Sequence, residues 1–181
     1  MKEANVRLET YFWATEEIDD PFKVFSAFFE FYRLDSSKDM LSEVMRYLHK
    51  DEVCGKENPS RIFDFHKALQ SFARAAYLIN LKKQQWKVKK GPEAWPVMAQ
   101  ASLTAEEYEN PQLVFEKAFA ASTLDEYEFF LNEICYIALM PYREQADYDL
   151  TTPYIWFIKM LDAAQVITER GVEKVGSRKF L

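Results

Sequence analysis

Asp20-Pro-Phe-Lys-Val-Phe-Ser-Ala-Phe-Phe-Glu-Phe-Tyr-Arg-Leu-Asp35 returns ninety positions on, as Asn110-Pro-Gln-Leu-Val-Phe-Glu-Lys-Ala-Phe-Ala-Ala-Ser-Thr-Leu-Asp125. Pro21 lands on Pro111, Val24-Phe25 on Val114-Phe115, Phe29 on Phe119 and Leu34-Asp35 on Leu124-Asp125. Working outward at the same offset, Glu16-Glu17 meets Glu106-Glu107, Leu41 meets Leu131 and Glu43 meets Glu133. A gap of two then aligns Phe63, Phe65, Lys67 and Leu69 with Ile155, Phe157, Lys159 and Leu161. The matches fall on capping and core-spaced positions, where a copied structural unit would keep them. The chain reads as two diverged copies of one helical unit, residues 1–90 and 91–181, packed together as one compact domain. The join lies around Gly91-Pro-Glu-Ala-Trp-Pro96, where two prolines and a glycine interrupt the helix signals.

The repeated stretch opens with an N-cap residue followed by proline, and four such pairs occur: Asp20-Pro21, Asn58-Pro59, Asn110-Pro111 and Thr152-Pro153. Proline suits the first helical position because its missing N–H would be unpaired there, and the Asx or Thr before it offers an acceptor to the orphan donors. Thr104-Ala-Glu-Glu107 and Thr123-Leu-Asp-Glu126 have capping-box spacing. Apolar residues then step by three and four: Ile62, Phe65, Leu69, Phe72, Ala76 and Ile79 form one stripe, Met40, Leu41, Val44, Met45 and Leu48 a second, and Phe130, Leu131, Ile134, Cys135 and Ala138 a third. The segment from Phe22 to Phe31 is apolar nearly all round and reads as a buried helix. The expected helices are 21–33, 36–49, 59–88, 111–121, 124–140 and 153–170, with turns near 4–17 and 104–109 and Gly171 as a C-cap. The fold class is all-α, a bundle of six to eight helices. The two units pack about a pseudo-twofold axis, with a solenoid-like stack as the alternative.

Composition narrows the function classes. Apolar residues make up 49% of the chain and charged residues 29%, a globular balance. The net charge of −6 disfavours nucleic acid, whose binding depends on neutralising phosphates. No run approaches ~20 apolar residues, so no membrane span is expected. Met1 to Asp19 lacks the apolar core of a signal peptide, and two cysteines do not make a disulfide framework. A cytoplasmic location is the expectation.

Candidate sites are few. Arg61-Ile-Phe-Asp-Phe-His66 is similar to the Arg-x4–6-His motif of HEPN-type RNases, helical proteins in which the arginine and histidine cleave RNA. That resemblance implies Arg61 and His66 as catalytic residues. Its departure is Ile62, where a polar residue usually follows the arginine, and the second unit has neither residue at Pro153 to Ile158. Glu43 and Glu133 could face one another across the pseudo-twofold, but no Glu-x-x-His pair accompanies them, and Cys54 near His49 and His66 lacks a partner of zinc-site spacing. No metal or cofactor is expected. Lys82-Lys-Gln-Gln-Trp-Lys-Val-Lys-Lys90 could bind phosphates with Trp86 stacked on a base, though lysines also gather at helix C-termini to complement the dipole. Tyr11, Phe12, Trp13, Trp86, Trp95, Tyr142, Tyr148 and Tyr154 sit at segment ends, where rings either lid a small core or meet a partner. The leading reading is a non-enzymatic interaction or regulatory module whose partner is another protein or a second copy of itself. An Arg61/His66 RNase and a lysine-rich nucleic-acid binder are the competing readings.

Overall fold

The caps form where the chemistry of the first turn asks for them. The computed structural model describes residues 6–47, 58–91, 100–140 and 149–175. Asp20 accepts the Phe22 N–H at 2.9 Å to open α1 (Pro21–Phe31), and Asn58 accepts the Ser60 N–H at 3.0 Å to open α3 (Pro59–Leu81). Both capping boxes are made, Thr104 with Glu107 at the start of α4 (Ala105–Glu109) and Thr123 with Glu126 at the start of α6 (Leu124–Leu139). Between them in order lie α2 (Leu34–Arg46) and α5 (Gln112–Ala121), and α7 (Thr151–Arg170) closes the helical set.

Two expected starts moved. Asn110 ends α4, its N–H bonded to Glu106 O at 2.9 Å, so α5 begins after Pro111 without a side-chain cap. Helix α7 starts two residues ahead of Pro153 because the Asp149 carboxylate accepts the N–H groups of Thr151 (2.8 Å) and Thr152 (3.1 Å). It ends as expected on Gly171, whose φ of 74° lies in the region that favours glycine and whose N–H reaches Ile167 O at 2.8 Å.

The long helix expected over 59–88 stops at Leu81. A 3-10 turn at Lys83–Gln85 reverses the chain, and the Trp86 indole folds back to donate from Nε1 to Ile79 O at 3.1 Å. That buried bond replaces further helix with a strand. Strand β1 (Trp86–Val88) pairs antiparallel with β2 (Val172–Lys174), Trp86 opposite Lys174, Lys87 opposite Glu173 and Val88 opposite Val172. The described residues are otherwise helical, seven α-helices against one short ribbon.

Helix α3 packs on α1 and α6, and α7 packs on α5 and α2. Crosswise, α1 touches α7, α5 touches α3, and α2 meets α6. The three apolar stripes face inward: Ile62, Phe65, Leu69, Phe72, Ala76 and Ile79 are all buried, as are Leu41, Val44, Phe130, Leu131, Ile134 and Ala138. At the middle, the Phe25 ring stacks on Phe115 at 5.8 Å and leans on Phe72 at 4.8 Å, with all three fully enclosed. Helix α1 is less buried than its composition suggests. Only Val24, Phe25 and Phe28 are fully covered, and Phe31 is 53% exposed.

Charged cross-links brace this core. From α2, Lys38 reaches the fully buried Asp162 of α7 at 2.7 Å, and Asp162 also accepts the Ser102 hydroxyl at 2.6 Å. From α6, Glu128 takes the Arg74 guanidinium of α3 at 2.5 Å. Positions 38 and 128 are ninety apart, and they carry opposite charges. Near α4, the buried Glu107 holds Lys117 at 3.1 Å and Lys159 at 2.5 Å.

Truncating Phe25 or Phe115 to alanine removes a ring that has no room to be replaced by water. Each change is expected to lower the free energy of unfolding by about 3–5 kcal/mol, read by urea titration, whereas Phe31→Ala at the surface shifts it by less than about 1 kcal/mol.

Candidate interaction surface

The chain enters α1 through a short knuckle built on strain. Glu9 sits at φ 53°, ψ 40°, the left-handed region that costs a non-glycine residue roughly 1 kcal/mol or more. Two contacts on α3 hold it there: Arg74 pairs with the Glu9 carboxylate at 2.6 Å, and the Ser71 hydroxyl meets Glu9 O at 3.4 Å. The bend leads into a 3-10 turn at Thr10–Phe12 that packs along α3. Thr10 itself points in. It is fully buried, its hydroxyl accepting the Ile18 N–H at 2.7 Å and donating to Glu16 O at 3.2 Å, which ties the loop shut. Trp13 anchors the far side by donating from Nε1 to Ser71 Oγ at 2.9 Å, with its ring edge-on to Phe28 and Phe31.

What this scaffold presents is a patch of rings. Tyr11 is 64% exposed, Phe12 47%, Phe31 53% and Phe63 49%. Tyr11 and Phe12 lie against each other at 4.4 Å, and the Lys67 ammonium bridges Phe12 (5.5 Å) to Phe63 (5.7 Å). Clustered exposed rings are the composition that recognition surfaces favour. Of the eight segment-end aromatics, Tyr11 and Phe12 stand out here and Trp13 is half-buried behind them. Trp86 is buried and Tyr154 hydrogen-bonds Ser42 at 2.9 Å, both serving the interior, while Trp95, Tyr142 and Tyr148 lie outside the described residues.

The Arg61/His66 pair does not converge. Five residues apart on one helix, the two side chains leave the axis about 140° apart. Arg61 is on the exposed side and His66 is buried against α6. His66 Nδ1 is enclosed without a hydrogen-bond partner. Beside it a cavity of about 20 Å³ between α2, α3 and α6 is lined by Leu41, Val44, Ile62 and Cys135, room for a water molecule and not for a nucleotide. Burial, aided by the nearby Lys67 charge, lowers the His66 pKa to about 4, against weaker opposition from the Leu131 backbone and Asn132. The His66 imidazole is thus buried and neutral at pH 7, with Arg61 on another side of the helix.

The lysine run is broken up in the same way. Lys83 pairs with Glu116 at 3.1 Å and Lys87 with Glu173 at 3.2 Å, and the buried Trp86 indole has no face free to stack on a base. Glu43 holds Arg46 at 2.9 Å. Among the described residues no three His, Cys, Asp or Glu side chains gather closely enough to hold a metal ion, and Cys54 and His49 lie outside them. No described helix is long and apolar enough to cross a membrane. Compared with protein-family models, with curated proteins and with solved structures, the chain gives no match.

Sequence reasoning missed Glu9, Arg74 and Asp162. The signal for Asp162 was present, a lone acid inside Met160-Leu-Asp-Ala-Ala164 on a stripe that has to face inward. Nothing local announces the left-handed Glu9, because its cause is Arg74 sixty-five positions away.

Two buried groups give acid sensitivity in separate windows. His66 takes its proton near 6.5 when unfolded and near 4 when native, so lowering the pH through that range favours the unfolded chain. Burial of Glu107 works to raise its pKa but is outweighed by hydrogen bonds from Lys159, the Thr104 N–H and Lys117, which hold it at about 2. Its contribution is complete above pH 4.5 and is lost between 4.5 and 2. Urea titrations from pH 7 down to pH 3 should show His66→Gln flattening the loss above pH 4.5 while leaving the steeper loss below it.

Proposed function

We propose that this chain is a non-enzymatic protein-interaction module, cytoplasmic, built from two copies of one helical unit at 1–90 and 91–181 related by a pseudo-twofold axis. Its working surface is the Tyr11/Phe12/Phe63 patch. Several features support the duplication. The elements α1, α2, α3 and β1 recur in order as α5, α6, α7 and β2, and their contacts pair off: α1 on α3 with α5 on α7, α3 on α6 with α7 on α2. Phe25 and Phe115, equivalent by offset, stack on each other.

The duplication supplies an internal control for the patch, and that comparison carries the functional reading. At the offset of ninety, Thr10-Tyr-Phe-Trp13 becomes Gln100-Ala-Ser-Leu103. Thr10 and Gln100 are both buried, so the two loops enter their units alike. The second loop then turns inward, closing on Asp162 through Ser102 and burying Leu103, without a single ring. A unit of this design therefore closes without Tyr11 and Phe12. Exposed to water, those rings are surplus to folding and suited to a partner.

The test is comparative. Tyr11→Ala combined with Phe12→Ala should leave the unfolding free energy within about 1 kcal/mol of wild type. Chemical cross-linking in cell extract, and sedimentation of the pure protein for self-association, should show wild-type contacts that the double variant loses. Identical behaviour of the two proteins in both assays would remove the reading. The competing RNase is decided by incubation with total RNA, where cleavage abolished by His66→Ala would reinstate it.

A further inference from the structure

We infer that the groove beside the knuckle receives a basic segment of the partner, an extended peptide that places a lysine or arginine on the Tyr11 ring. The inference rests on the interaction reading and adds the chemistry of what is bound. An open groove of about 590 Å³ lies between the knuckle and α3, within the range of sites that hold a few side chains. Leu8, Leu78 and Tyr11 are among the residues that line it.

Charge decides the occupant. The lining carries three carboxylates, Glu9, Glu17 and Asp19, against one guanidinium, Arg7. Glu9 is paired with Arg74, and the other two carboxylates of the lining, Glu17 and Asp19, are exposed. Glu17 is fixed at the foot of the aromatic wall because its Oε2 accepts the Tyr11 N–H at 3.1 Å. Exposed Glu16 and Asp20 flank the pair and extend the negative field. A ring face next to carboxylates attracts an ammonium or guanidinium through its quadrupole and its counter-ions together. The neighbouring ring already does this, since Lys67 lies over Phe12. Phosphates would be repelled here, which separates this partner from nucleic acid. A basic peptide satisfies both halves of the lining, with its cation on Tyr11 between Glu17 and Asp19 and an apolar neighbour against Leu8 and Leu78.

The probe is a fluorescein-labelled hexa-arginine peptide, with hexaglutamate as its counterpart, titrated with the full chain and followed by anisotropy at low and high salt. Hexa-arginine should bind, more weakly as salt rises, and hexaglutamate should not. Tyr11→Ala should weaken binding at least tenfold and Tyr11→Phe should restore it, because the ring and not the hydroxyl is needed. Glu17→Gln with Asp19→Asn should weaken it as much as Tyr11→Ala, while Asp125→Asn with Glu173→Gln, an equal charge change elsewhere on the surface, should have no effect. In a two-dimensional amide NMR spectrum the peptide should shift residues 6–19 and Leu78. Absence of binding overturns the inference, as does binding that the Asp125/Glu173 double variant reduces as much as the Glu17/Asp19 one, which would mean only an acidic protein meeting a basic peptide. Failure here, with the Tyr11/Phe12 double variant still losing wild-type contacts in extract, sinks the basic-peptide assignment alone. Failure in both sinks the interaction reading with it.

Discussion

The stack of Phe25 on Phe115 is the contact on which the architecture turns. The rings belong to different helices, α1 and α5, and each is enclosed completely. An aromatic pair of this kind contributes about 1 kcal/mol beyond the area it buries, and burying each ring adds about 2–3 kcal/mol. Around it α1 packs on α3 and α7, and α5 on α7 and α3. The segments that follow α3 and α7 pair with each other as the ribbon of Trp86–Val88 and Val172–Lys174.

Around that centre the loops that begin at Thr10 and Gln100, both buried polar residues, take different courses. One loop closes its hydrogen bonds inward on Asp162. The other accepts backbone strain at Glu9, is pinned by Arg74, and turns rings and carboxylates toward solvent. Strain maintained by specific ties, at the base of an exposed aromatic cluster, is the pattern expected where structure is retained for recognition and not for stability.

Much of the helical framework was legible because its signals are local. Asp20, Asn58, Thr104 and Thr123 cap helices through atoms within three residues of themselves, and the stripe from Ile62 to Ile79 records which side of α3 is dry. Legibility ended where distant groups competed. Asp149 displaced the expected Thr152-Pro153 start, the Trp86 indole cut short the long helix, and the rings of α1 divided between core and surface according to neighbours that α1 alone does not reveal. For the site, the aromatic residues at segment ends could be found in the sequence, but which of them face water could not. Tyr11 and Trp86 have the same chemistry and the same kind of position, and only the fold sends one outward and one in. Spacing also brought Arg61 and His66 forward as a pair, and the 100° advance per residue of the helix sets them on different sides.

The swapped charges at positions 38 and 128 have an evolutionary consequence. Lysine on α2 meets aspartate on α7, whereas glutamate on α6 meets arginine on α3. Were two first halves to associate, Arg74 would confront a lysine. Were two second halves to do so, Asp162 would confront a glutamate. On the duplication proposed above, each copy would disfavour its own kind at these positions, Asp162 being fully buried, and favour its sister. A unit that once paired with itself would, after these changes, pair asymmetrically, and one copy could specialise its loop without weakening the other.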